Sequence, residues 1–433
     1  MNISATCENK PQSKMTKEMN NPDILSNLDN PKELEKLYRD NKGAFKKEFN
    51  TLYPRIKDNK LAEYWHERLN YENPDISWGS KNEITFVIIA SLLAGLIAKI
   101  PDILKLREEL FFQRNIGFVV FPILTAYFIW KNKIAKKKTV LAGVVMLAAL
   151  VFINLLPAGT SSDTLILSCI HLPFLLWAIL GFAYAGDEYG NLPKRIDFLR
   201  YNGDLVIMTT LLGIAGAILT GITIGLFSVI GFHIERFYFD YIGIFGLSAL
   251  PVVATYVTQT NPQLVNKVSP VIAKLFSPLV LIMLVAYLSA ILYSGKDPYN
   301  DREFLMVFNF LLIGVMAIIL FSIAESFKKN ESRAGSVLLL ALSVVTIVVN
   351  GIALSAILFR ISEQGITPNR LAVLGGNLFM LVNLLMISFR LFRHVYKKED
   401  IRAVERAISW FLPVYIIWTV IVAFLFPFLF HFK

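Results

Sequence analysis

The sequence predicts an all-α fold: a polytopic integral membrane helix bundle of about eleven transmembrane helices, preceded by a small N-terminal cytoplasmic helical segment. Two observations predict it. Of 433 residues, 55% are hydrophobic and only 18% charged, and the mean hydropathy is +0.53, whereas soluble domains sit near half apolar and roughly a quarter charged. The apolar residues also fall into runs of roughly the 20 residues that a helix needs to cross a bilayer. The net charge of +10 lies mostly in loops beside those runs. It fits contact with the bilayer's anionic lipid headgroups, and no nucleic-acid partner is expected. Cys7 and Cys169 are far apart in sequence, one in a polar stretch and one in an apolar run, so neither a disulfide framework nor a thiolate metal site is expected. The first eighty or so residues are polar and carry no signal-peptide pattern.

Residues 1–28 are rich in Asn, Lys and Ser and poor in aromatics, which predicts a disordered tail. Residues 29–82 read as a cytoplasmic helical hairpin. Asn30 offers an N-cap, Pro31 the first helical position and Glu33 the reciprocal capping contact. Leu34, Leu37, Tyr38, Phe45 and Phe49 follow at helical spacing, Pro54 interrupts, and Leu61–Leu69 resumes. Such a hairpin is too small to bury a substantial core alone. Its aromatic residues Tyr38, Phe45, Tyr53, Tyr64 and Trp65 are therefore expected to rest on the membrane region or the headgroup layer, with a protein partner through residues 30–75 as the alternative.

Residues 83–433 hold the spans, at roughly 83–101, 112–131, 139–157, 163–185, 204–231, 241–259, 276–294, 304–323, 335–359, 371–389 and 408–430. Lys99 and Pro101 close the first early, Gln113, Arg114 and Asn115 soften the start of the second, and the long fifth is either one tilted helix or a broken one. Alternate connections carry nineteen Lys and Arg in one set and eight in the other. The richer set is expected in the cytoplasm, which places the N-terminal segment inside and the C-terminus outside. Leu192–Tyr201 and Phe392–Ala407 mix basic and apolar residues. They read either as topology signals or as helices lying on anionic lipid. Gly213, Gly216, Gly221 and Gly225 in the fifth run suit close helix packing, and Gly375-Gly376 suits either tight packing or a broken helix beside a polar site.

Chemistry-bearing patterns are sparse. The sequence contains no phosphate-cradling glycine loop, zinc-protease helix or nucleophile elbow, and the five histidines are scattered. No catalytic residue, metal or cofactor is expected. His171 reads as a packing histidine, set against a proton relay. Asn154, Asn309, Asn350, Asn377 and Asn383 lie inside spans, where polar groups are expensive and either bridge helices or serve a site. The informative stretch is the polar turn Arg360–Arg370. Thr367 caps the next helix, Pro368 takes its first position and Gly365 sits at the sharp bend. It is either a well-capped re-entry into the membrane or an anion or partner site built on Arg360 and Arg370.

That turn, Arg360-Ile-(three residues)-Gly365-Ile-Thr367-Pro-Asn369-Arg370, resembles a signature of the bacterial multipass family designated domain of unknown function 4153. The similarity extends to the span Ser277–Tyr293 and the Phe237-Tyr238 stretch, and covers roughly residues 85–425. The resemblance implies a polytopic protein of a bacterial cytoplasmic (inner) membrane, sometimes called a permease, with no agreed substrate or catalytic residues.

The expected function is transport, permease-like, of an anionic or zwitterionic solute or lipid. Arg360, Thr367, Asn369 and Arg370 would bind it, and Asn350 and Asn377 would line the adjacent cavity. The alternative is a membrane scaffold or signalling component that docks a partner through the N-terminal hairpin. A lipid enzyme is the weakest reading, because clustered acids, histidines and metal ligands are lacking.

Overall fold

A computed structural model describes residues 21–40, 42–70, 78–157, 162–229, 232–266, 268–294, 299, 302–326 and 333–432. The chain divides into two units, residues 1–76 and 77–433.

The first unit is built from α1 (Asn21–Ser26), α2 (Pro31–Asp40), α3 (Lys42–Ile56) and α4 (Lys60–Asn70). Asn30 caps α2 as its sequence predicts, accepting from Glu33 N at 3.4 Å. The remainder differs from the expected hairpin. Residues 1–20 lie outside the described residues, but Asn21–Ser26 is helical and Ile24 is fully buried, so the predicted tail stops short of residue 28. Pro54 lies inside the last turn of α3 rather than before a break. The aromatic residues turn inward on one another. Phe45 and Phe49 are fully buried, and Phe45 packs on Tyr38 at 5.8 Å and on Trp65 at 5.2 Å between ring centroids. Tyr53 stacks on His66 at 3.6 Å. Of the five aromatics expected to need an outside surface, only Tyr64 stays exposed. Four helices closing on one another supply the core that a two-helix hairpin lacks.

The second unit is a polytopic helix bundle. Among the described residues, eleven helices are long and apolar enough to cross a membrane, and each falls on a predicted span. Their main α-helical segments are α5 (Lys81–Ala98), α6 (Glu108–Lys131), α7 (Lys136–Leu155), α8 (Asp163–Ala185), α9 (Leu192–Val229), α10 (Ile244–Thr260), α11 (Ser269–Ser294), α12 (Arg302–Ser326), α13 (Arg333–Gln364), α14 (Pro368–Lys397) and α15 (Arg402–Val420), the spans of α10 and α15 being Glu235–Thr260 and Arg402–Leu429. A π-helical stretch, Tyr238–Gly243, leads into α10, and another, Ile421–Leu425, carries α15 onward to Phe426–Leu429. Two large cores organise the bundle. One joins α5, α6, α8, α10 and the start of α9 around Leu124, Phe128, Leu180 and Val252. The other joins α11 to α15 with Ile196 of α9, around Phe308, Ile319, Leu342 and Leu384.

Long-range hydrogen bonds sort the connections into two ends. At one end, Asn132 donates to the carbonyls of Ala183 and Tyr184, Arg195 to that of Ser409, and Arg200 to that of Ala324. This end gathers the lysine- and arginine-rich connections. At the other, Arg360 reaches Tyr299 O, and Arg114 reaches the carbonyls of Ile153, Asn154 and Leu156. Arg114 thus serves as a C-terminal cap for α7, supplied by the neighbouring helix. The Asn115–Asn154 amide pair beside it supports the same junction.

The structure decides several local alternatives. The fifth run is one unbroken 38-residue helix, α9. Its first turns do not lie along a lipid surface, because Ile196, Phe198 and Tyr201 are buried in the bundle. Phe392–Ala407 is likewise no single surface helix: α14 ends at Lys397, and Glu399 draws Arg390 and Arg393 together at the turn into α15. A Cβ added at Gly216, Gly221 or Gly225 would meet nothing within 4 Å among the described residues, and α14 runs unbroken through Gly375-Gly376. Gly375 instead makes room for the Trp418 ring, which a Cβ would approach to 2.1 Å.

Candidate functional site

The six predicted site residues separate into two groups. The outer group is the α13–α14 turn. Gly365 has φ +79°, the left-handed conformation that ends a helix at low cost in glycine. Thr367 caps α14 by accepting from Arg370 N at 3.3 Å, and Pro368 begins the helix. Arg370 then folds back over the bend. Its Nη1 donates to Gln364 O at 3.0 Å and Gly365 O at 2.8 Å, and Nη2 donates to Gln364 Oε1. Arg360 Nε donates to Tyr299 O at 2.8 Å. Asn369 is half-buried and makes no side-chain hydrogen bond among the described residues. The Arg370 guanidinium is therefore a clamp across the turn, whereas Arg360 ties the end of α13 to Tyr299 through its Nε.

The inner group is a buried polar seam. Asn377 lies seven residues after Arg370, about 10 Å farther along the helix axis. Asn377 Nδ2 donates to Asn309 Oδ1 at 2.8 Å, and Asn350 Nδ2 donates to Asn377 O at 3.1 Å. Asn350 and Asn377 are 0% and 2% exposed. Farther along α14, Asn383 donates to Tyr415 Oη at 3.0 Å, and the Ser388 and Ser343 hydroxyls pair at 2.9 Å. The structure thus joins α12, α13 and α14 through three amides near the middle of α13. Asn350 Oδ1 and Asn383 Oδ1 are buried with no donor among the described residues. A buried acceptor left in this way costs about 1–3 kcal/mol, so the seam can take a hydrogen-bond donor that the described residues do not supply. His171 fits its packing role, with Nδ1 on Leu167 O at 2.8 Å.

One feature at the basic end went unread in the sequence. A cavity of about 280 Å³ is lined by Tyr184 of α8, by Asp197, Arg200, Tyr201 and Asp204 of α9, and by Thr258 and Gln259 of α10, with Pro262 beyond. Asp197 and Asp204 stand two turns apart on one face of α9, with Arg200 between them. Arg200 Nη1 donates to Asp197 at 2.6 Å, Nε and Nη2 donate to Ala324 O at 3.1 and 2.6 Å, and Nε pairs with Glu325 at 3.4 Å. Asp204 accepts from the Ser269 hydroxyl. The pattern Asp197-x-x-Arg200-x-x-x-Asp204 at the mouth of an apolar run carries the signal.

No group of three or more His, Cys, Asp or Glu among the described residues is placed to hold a metal ion. No family model, curated protein or solved structure matches the chain.

Proposed function

We propose that this multipass membrane protein is a permease-like carrier of a small polar solute in a bacterial cytoplasmic membrane, with the basic end and the N-terminal unit on the inner side. The observation that carries the reading is Asn350 Oδ1, fully buried halfway along a membrane helix and reached by no donor among the described residues. Polar groups at such depth are expensive and mark solute paths more readily than they mark anchors. Eleven helices also far exceed what tethering needs. The solute contacts proposed are Asn350, Asn377 and Asn309. Arg370 is left out because its Nη1 and Nη2 are directed at the oxygens of the turn, and Arg360 because its Nε is held at Tyr299 O, outside the seam. Kinship with the domain of unknown function 4153 family belongs to the same proposal and rests on the Gly365–Arg370 motif.

The test is flux. Purified protein in liposomes is assayed for uptake of radiolabelled amino acids, amines and short carboxylates. The proposal expects at least one compound to accumulate above empty vesicles, and Asn350→Leu to abolish that uptake while the protein still unfolds cooperatively. Uptake unchanged in Asn350→Leu, or no uptake of any compound, overturns it. The scaffold reading gains one observation, the self-contained core of the N-terminal unit, and predicts recovery of a stoichiometric partner through that unit together with absence of flux.

A further inference from the structure

We infer that the solute of the α12–α14 seam is neutral overall, a zwitterion or an uncharged amide, and that the Trp418 indole is a further contact for it. The inference rests on the permease reading and narrows it, setting aside the anion that the turn arginines suggest.

The first argument is the charge of the surroundings. The seam lies in the core built by α11 to α15. Residues 276–294, 304–324, 334–359, 371–389 and 407–430 of those helices contain no Asp, Glu, Lys, Arg or His. The nearest charged residues along the helices, Glu303 and Arg370, stand six and seven residues from Asn309 and Asn377, about 9 and 10 Å of rise toward the turn. Arg370 is engaged there with Gln364 and Gly365. Helix α8 packs on α14 and α15 through Leu167 and adds one ionisable group along 164–185, His171, which is held at Leu167 O. A net charge brought into this layer would leave water and meet no fixed counter-charge, a costly transfer. A zwitterion carries its own counter-charge, and an uncharged amide needs none.

The second argument is the kind of group left unpaired. Asn350 Nδ2 meets a backbone carbonyl, Asn377 O. Only the amide nitrogen can donate there, so the unpaired Oδ1 is an acceptor and asks for a donor. On the adjoining face of α14 the indole of Trp418 lies over Gly375-Gly376, held between Phe379 and Phe426. Its Nε1 is buried with no acceptor among the described residues, 4.0 Å from where a Cβ of Gly376 would stand. Asn383, fully buried, adds a second unpaired amide oxygen. Gly376, Asn377 and Asn383 fall within two turns of α14, about 10 Å of rise. That short stretch therefore offers an unpaired donor as well as unpaired acceptors. A solute with N–H groups and a carbonyl or carboxylate oxygen answers both, whereas an amine lacks the acceptor and a simple carboxylate lacks the donor.

The experiment uses the full chain, in liposomes for uptake and in detergent for thermal unfolding and calorimetry. Alanine, serine and glutamine are compared with putrescine and succinate. Each amino acid is accompanied by its N-acetyl acid (an anion), its amide with a free amine (a cation) and its N-acetyl amide (uncharged). The inference expects uptake or an upward Tm shift with an amino acid or an N-acetyl amide, and none with any net-charged member. Which of the two neutral forms responds separates the zwitterion from the amide. Trp418→Phe keeps a ring against Gly375 and removes the donor. It should weaken binding about threefold to tenfold without lowering the Tm of the unliganded protein, since no hydrogen bond is lost. Should that variant fail to fold, Gly376→Ala, which places a methyl in ordinary contact with the indole nitrogen, should weaken binding instead. Preference for a net-charged member, no response to either neutral form, or wild-type affinity in the folded variant overturns the inference. Failure of the two proposals is distinguishable. Flux confined to amines or carboxylates keeps the carrier and removes this inference, whereas a Tm shift with a neutral form but no flux keeps the site and removes the carrier.

Discussion

The two units solve opposite packing problems. In the N-terminal unit Ile24, Leu34, Phe45, Phe49 and Trp65 are inside, and every buried side chain of the core cluster is apolar. In the membrane unit the interior carries the polarity. All the buried polar and charged side chains among the described residues belong to it, including Asn350, Asn377, Asn383, Ser343, Thr346 and Glu325, while Leu, Ile, Val and Phe crowd its exposed surface. The difference follows from the solvent each unit faces. Water drives apolar groups together. Lipid does not, so membrane helices associate through close packing and hydrogen bonds between small and polar residues. Aromatic burial should therefore dominate the stability of the first unit, and steric fit that of the second.

The largest expected effect tests the first half of that contrast. Phe45→Ala removes a fully buried ring that contacts Tyr38, Phe49 and Trp65. Such truncations cost about 3–5 kcal/mol, enough to unfold a unit of this size. Limited proteolysis should then cleave within residues 21–70 while the membrane unit keeps its melting temperature. If both units melted together, the division between their cores would fail.

The second prediction concerns steric fit and uses one substitution at two sites. Gly375→Ala places a Cβ at 2.1 Å from the Trp418 ring, which is itself bounded by Phe379 and Phe426. Overpacking of this kind costs about 1–3 kcal/mol. Gly216→Ala meets nothing and gains the helix preference of alanine, worth up to about 1 kcal/mol. Thermal unfolding of the two variants should shift in opposite directions. A shift of the same sign in both would mean that propensity, rather than contact, governs glycine in these helices.

What the sequence made legible follows the same division. Apolar run length located all eleven spans, because crossing a bilayer imposes a length that composition reveals. Capping also read well: Asn30 and Thr367 occupy the predicted positions, since the cap depends only on neighbouring residues. Contacts between distant residues did not. Nothing near Gly375 in sequence announces Trp418, and nothing near Arg200 announces the carbonyl of Ala324. The N-terminal core was missed because Ile24 sits in a polar stretch whose composition resembles a tail. Among the six site residues, the sequence placed Asn350 and Asn377 on facing helices but could not show which groups their amides would meet. Nor did it show the intramolecular oxygens that Arg360 and Arg370 meet, at Tyr299 and at Gln364 and Gly365.

The smallest expected effect decides the role of the turn. Arg370 spans Gln364 and Gly365 with its guanidinium on an exposed bend, where competition from water reduces the net value of each hydrogen bond. Arg370→Ala should therefore lower stability by about 1 kcal/mol with no ligand present. Gly365 and the Thr367 cap do not depend on that side chain, so the bend itself should persist. Arg370→Lys separates clamp from charge. A lysine keeps the positive charge but cannot offer two fixed N–H groups to the two carbonyls and the Gln364 amide at once. A clamp predicts that Lys behaves like Ala in thermal unfolding. An anion site predicts the opposite: Lys retains ligand-dependent stabilisation by carboxylates or phosphates, Ala loses it, and the unliganded proteins melt alike. Either result bears on the contrast between the two units, since a clamp made of backbone carbonyls and one guanidinium is a water-facing device placed where the membrane unit meets its second solvent.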